Sequence, residues 1–196
     1  MPWTPDTVFV EGLDFFSASV ELLHDLDWSR PSPCSEWTAL DVLGHVGTAV
    51  RFGTDLLSGG QPEWSPTDPP GAAVEGDPHS WWSALVAPAR RAVARTDLRL
   101  MVDSPGGRRS VADGLSFPAL DLFIHAWDLA RSAGRDVEIP TEAIDFASVI
   151  FEPIPEDQMR SPRVFGEALA PPALSSESES FIAWTGRDPR WAQPRN

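Results

Sequence analysis

The 196-residue chain is long enough for one domain with a buried core, and its 42% hydrophobic content is that of a globular rather than a disordered protein. Its 29 acidic residues outnumber the 15 basic ones for a formal net charge of -14, so phosphate backbones and anionic lipid surfaces would repel it; this excludes nucleic-acid and membrane-surface roles. The single Cys34 cannot form an internal disulfide. The first residues lack a basic segment leading into an apolar one, and no run of about 18 apolar residues occurs, so a cytoplasmic protein is expected.

Phe9, Leu13, Phe16, Val20 and Leu23 recur at alternating spacings of four and three, which predicts an amphipathic first helix over roughly residues 6 to 27. Pro31 and Pro33 break the pattern. Thr38, followed three residues later by Asp41, reads as an N-cap with a weaker relative of the capping box, opening a second helix from about 39 to 57. Residues 59 to 78 are rich in Pro and Gly, among them Gln61-Pro62 and Pro69-Pro70-Gly71, and predict a long loop of the kind that often serves as a functional lid. A third helix is expected over about 79 to 96, kinked at Pro88.

Residues 98 to 110 read as extended, turning at Pro105-Gly106-Gly107. A fourth helix starts either at Ser110 with Asp113 or at Ser116 ahead of Pro118, and ends before Gly134. Thr141 to Phe151 predicts a fifth, and a short C-terminal helix near 176 to 185 is closed by Gly186. Strand signals are sparse and no internal repeat is present. The expected class is all-α, one domain over residues 1–196.

The fourth helix is the informative one. Between Phe117 and Ala130 only Asp121, His125 and Asp128 can ionise, and their i, i+4, i+7 spacing puts them on one face of an otherwise apolar helix. A helix apolar all round is usually buried, and buried charge must be paired or bound to metal. In the second helix His45 interrupts an apolar face made by Val42, Ala49 and Phe52. Two helices of a bundle thus each place an imidazole where an aliphatic side chain is expected, a common way of building a metal site. Two His and one carboxylate leave a coordination position open, the pattern of catalytic zinc, and the set also suits iron, nickel and manganese. On spacing alone, a satisfied core histidine and a buried Asp121/His125 ion pair fit these residues as well as a metal does.

Pro33-Cys34-Ser35-Glu36-Trp37-Thr38 leads into Asp41-Val42-Leu43-Gly44-His45. Asp121-Leu122-Phe123-Ile124-His125-Ala126-Trp127-Asp128-Leu129-Ala130-Arg131 follows, and the chain closes on Thr185-Gly186-Arg187-Asp188-Pro189-Arg190-Trp191. From about residue 8 to 191 this order of motifs resembles the mycothiol-dependent maleylpyruvate isomerase metal-binding domain family of the DinB-like superfamily. The resemblance implies a DinB-like four-helix bundle with long loops, and a divalent metal held by His45, Asp121 and His125. The acid is typically Glu in the better-known members and is the shorter Asp121 here. Asp128 is expected to pair with an Arg or to orient a neighbour, and Cys34 to pack ahead of the second helix. Trp37, Trp127 and Trp184 are expected in the core.

The function so implied is a metal-dependent thiol transferase or isomerase, with a low-molecular-weight thiol such as mycothiol activated at the open metal position beside a small-molecule substrate. No residue beyond the ligands is an evident general base, so no catalytic residue is named. Metal-activated hydrolysis, non-haem iron oxygenation and a non-catalytic role in resistance, sequestration or regulation are the alternatives. A di-iron site is disfavoured, because its paired Glu-x-x-His motifs are missing. The sequence is compatible with a homodimer.

Overall fold

A computed structural model describes residues 2–60, 63–104, 107–160 and 164–194. Gln61, Pro62, Pro105 and Gly106, part of the expected loop and turn, lie outside the described residues. Four helices make the bundle: α1 (Pro5–Val20), α2 (Ala39–Leu57), α3 (Pro78–Arg95) and α4 (Val111–Ser132). α4 packs on α1 and α2, and α3 packs on the same two, so the four close into a ring. Between α3 and α4 lies an antiparallel hairpin of β1 (Met101–Ser104) and β2 (Gly107–Ser110), with Met101 opposite Ser110. The remaining helices are α5 (Thr141–Phe151), the single turn α6 (Glu156–Met159) and α7 (Glu177–Trp184), with α5 touching α4 and α7. The all-α class holds, and no helix among the described residues is long and apolar enough to cross a membrane.

The apolar stripe of α1 does what its spacing predicts. Phe9, Leu13, Phe16, Val20 and Leu23 are all buried. Phe16 packs on Trp82 of α3 with ring centroids 4.6 Å apart, and the Trp82 Nε1–H donates to Ser17 Oγ at 2.8 Å, satisfying the polar end of a buried aromatic. The helix itself stops at Val20 rather than near residue 27. Leu22 and Leu23 make tighter i to i−3 bonds to Ser19 and Val20. The Asp27 carboxylate then takes the His24 N–H at 2.8 Å, closing a turn where the periodicity alone would continue a helix.

α2 begins as its cap predicts. Thr38 Oγ1 accepts from the Asp41 N–H, and Asp41 Oδ2 accepts from the Thr38 N–H at 2.9 Å, a reciprocal capping box. Asp41 is also buried, because Oδ1 takes the Gly71 N–H at 2.9 Å. That bond anchors a 3-10 turn, Pro70–Ala73, against α2. The long loop is thus pinned at its middle rather than hanging as a free lid. α4 starts from the first of the two expected caps: Ser110 Oγ accepts from the Asp113 N–H, and Pro118 is accommodated inside the helix. α4 spans 22 residues and carries buried side chains on every face along its second half.

Candidate metal centre

α2 and α4 cross so that His45, two turns into α2, faces Asp121 and His125 in the middle of α4. The ligand atoms of these three side chains lie within 4.8 Å of one another. His45 Nε2 is 3.2 Å from Asp121 Oδ2, and His125 Nε2 is 3.4 Å from Asp121 Oδ1. Bonds of about 2.0–2.1 Å to a tetrahedral metal would separate its donor atoms by about 3.3–3.4 Å, close to the two histidine–carboxylate distances, which fall on different oxygens of Asp121. The shorter Asp in place of Glu still reaches both imidazoles. The side chains of His45 and Asp121 are 29% and 32% exposed, while His125 is buried, so the trio opens to solvent on the His45 side.

Asp128 supports the trio from behind. Its side chain is fully buried and takes His125 Nδ1 at 2.8 Å on Oδ2. Arg187, from the segment after α7, grips the same carboxylate in a fork, Nε to Oδ1 at 2.8 Å and Nη2 to Oδ2 at 2.9 Å. Burial alone would raise the Asp128 pKa, but the Arg187 charge and the His125 hydrogen bond outweigh it and hold the carboxyl below its ordinary value. An ionised carboxylate only accepts hydrogen bonds, so His125 donates from Nδ1 and its other nitrogen, Nε2, faces Asp121. Burial raises the Asp121 pKa as well, yet the two histidines and Arg187 pull it well below the usual carboxylate range. His45 is shifted upward: burial lowers its pKa, and the Asp121 hydrogen bond and charge more than reverse this. The centre is a carboxylate held between two imidazole nitrogens.

Residues 9–130, more than half of the chain, match the family model described as mycothiol maleylpyruvate isomerase N-terminal domain. The chain belongs to this family. Two uncharacterized proteins of Mycobacterium tuberculosis, from strains CDC 1551 / Oshkosh and ATCC 25618 / H37Rv, are each 29% identical to it over 195 residues, covering 90% of this chain and 94% of their own. Two crystal structures of the mycothiol-dependent maleylpyruvate isomerase, one of them a mutant, share the fold with TM-scores of 0.62 and 0.61 at 16% identity. Those matches cover 74% of this chain and 66% of the isomerase chain, just under two thirds of its length. His45, Asp121 and His125 all fall inside the span matched by this isomerase-domain family.

Two contributors to the site are not evident from the sequence. Trp37 lies over both imidazoles, its ring centroid 5.0 Å from that of His45 and 6.0 Å from that of His125. Its composition-based place is the core, though its position just before the N-cap of α2 already sets it at the end of the bundle where that helix begins. Arg187 is the cation that Asp128 was expected to find, but 59 residues separate the two and nothing in the local pattern singles it out among the arginines. Cys34 packs near both acids, and burial followed by the Asp128 charge pushes its thiol up to about 12, so it stays protonated at neutral pH.

Proposed function

We propose that His45, Asp121 and His125 bind one divalent metal ion, zinc foremost with nickel, iron and manganese as chemically acceptable substitutes, and that the protein is a thiol-dependent transferase or isomerase. One observation carries the metal reading. Asp128, held by Arg187, accepts from His125 Nδ1, which leaves Nε2 facing the Asp121 carboxylate at 3.4 Å. That nitrogen and the carboxylate need a cation between them, a proton or a metal ion, and a metal ion would serve both together with His45.

Bound there, a dication supplies Lewis acidity that makes a thiol or water at its open position nucleophilic near neutral pH. The residues of the chain hold and shield. Asp128 orients His125, Arg187 keeps Asp128 ionised, and the Trp37 indole walls one side of the two histidines. A low-molecular-weight thiol of the mycothiol class as cosubstrate is supported by family membership and by the mycothiol dependence of the isomerase whose fold the chain shares. Cys34, whose thiol burial and the Asp128 charge keep protonated, is not assigned as the reacting sulfur.

Elemental analysis of protein purified without an affinity tag tests this directly, alongside His45→Ala and Asp121→Ala. About one metal ion per chain is expected in the parent protein, lost in both variants. Isomerase and transferase assays with that metal should then require added thiol. Metal bound without any thiol-dependent turnover would make this a binding protein, and a parent that takes up no metal would sink the proposal.

A further inference from the structure

A buried cation with a poor counter-ion is found outside the trio. Arg160, at the end of α6, has a side chain only 7% exposed. Its Nη1 donates to the carbonyls of Gly166 and Trp184, and its guanidinium stacks 4.8 Å from the Trp184 ring centroid. Among the described residues no carboxylate hydrogen-bonds it. Glu156, the acid that comes near, is 81% exposed and 3.7 Å from Nε, an atom buried without a hydrogen-bond partner. Arg187, at 12% exposure, contrasts with it because Asp128 neutralises it through the fork. A buried cation without a close anion is costly.

Arg160 lines a cavity of about 430 Å³, within the size range of small-molecule sites. Arg187 forms another wall, while Pro33, Cys34 and Val164 give it an apolar lining. Glu167, itself exposed, is the one acidic lining residue among those described. Gly186 makes room here. Its φ of +86° suits glycine, and a Cβ at this position would press on Gly166 at 2.9 Å, so the two chain segments meet backbone to backbone. None of the three candidate metal ligands lines this cavity.

We infer that this cavity is a second binding site, for a small organic carboxylate whose head pairs with Arg160 and whose short apolar body lies along Pro33, Cys34 and Val164. With Nη1 committed to two carbonyls and Nε buried, Nη2 is the donor left for a carboxylate oxygen, and the apolar lining favours an organic acid over a bare inorganic anion. The inference does not rest on metal binding.

Ligand-observed NMR titration of the full chain with butyrate, with uncharged butyramide and with inorganic phosphate tests it. Butyrate should bind saturably, butyramide at least about tenfold more weakly, and phosphate more weakly than butyrate. Treatment with EDTA should leave butyrate binding unchanged, which separates this site from the metal centre. Arg160→Gln should weaken butyrate about tenfold or more. Glu167→Gln, which leaves the fold's contacts in place, should tighten it about two- to fivefold by removing a competing charge. A purely structural Arg160 would leave butyrate and butyramide alike and Glu167→Gln without effect, and either result overturns the site. Phosphate binding tighter than butyrate would overturn its assignment to organic acids.

Discussion

At the scale of single residues, the centre depends on a carboxylate that is not itself one of the three candidate ligands. Asp128 is fully buried and shares itself between His125 and Arg187. Asp128→Asn keeps the shape and removes the charge, leaving Arg187 as a nearly buried cation whose fork meets an amide. Breaking one partner of a buried pair costs about 3–5 kcal/mol, far more than a surface ion pair is worth. The same change frees the tautomer of His125, because an amide can donate to Nδ1 and move the ring proton to Nε2, the atom proposed to bind the metal. Metal affinity should therefore fall by about 10- to 100-fold. Chemical denaturation and a metal-binding titration of the same variant check both halves. Lost stability with undiminished metal affinity would show that Asp128 only neutralises Arg187.

At the scale of elements, α2 carries both a candidate ligand, His45, and the anchor of the long loop, and its glycines differ in what surrounds them. A Cβ on Gly44 would run into the Pro70 carbonyl, which the Thr67 hydroxyl also holds at 3.1 Å. One on Gly53 would meet nothing within 4 Å. Gly53→Ala should stabilise by about 0.5–1 kcal/mol through helix propensity, raising Tm by about 1–4 °C. Gly44→Ala gains the same propensity and loses it to overpacking of about 1–3 kcal/mol, so it should destabilise and make residues 63–77 more open to protease. Matching Tm changes in the two variants would mean the Pro70 turn yields freely. The contrast also marks what the sequence could reveal. Thr38 with Asp41, the stripe of α1, and the trio of His45, Asp121 and His125 were legible because each is a local spacing on one helix or the interruption of one apolar face. The early end of α1, the burial of Asp41 by the Gly71 N–H, the roof formed by Trp37 and the choice of Arg187 were not. Each is decided by a contact between segments that periodicity does not connect, or by a tight turn that it reads through.

At the scale of the whole molecule, a net charge of -14 works against compactness, while particular acids work for it. The two respond oppositely to pH. Lowering the pH adds positive charge and weakens this repulsion, chiefly close to the carboxylate range, so stability should rise modestly as pH falls toward about 5. Asp41 behaves in the reverse sense. Burial raises its pKa, but bonds from the Thr38 hydroxyl and N–H and from the Gly71 N–H outweigh this and leave it lowered. A group with a depressed folded pKa contributes stability that is present above its unfolded value, about 3.9, and lost as pH falls through the folded value. Asp128 has the same sign. Stability should therefore peak near pH 5 and drop steeply below about pH 4, with the drop shallower in Asp41→Asn, which has already lost what protonation removes. Raising salt from about 0.05 to about 0.5 M should lift Tm at pH 8, where net charge is greatest, and lift it less at pH 5. Thermal melts across this grid decide the matter: a Tm highest at pH 8 and indifferent to salt would mean that the acidic surface costs the fold nothing, and that the capped and buried carboxylates alone set its response to acid.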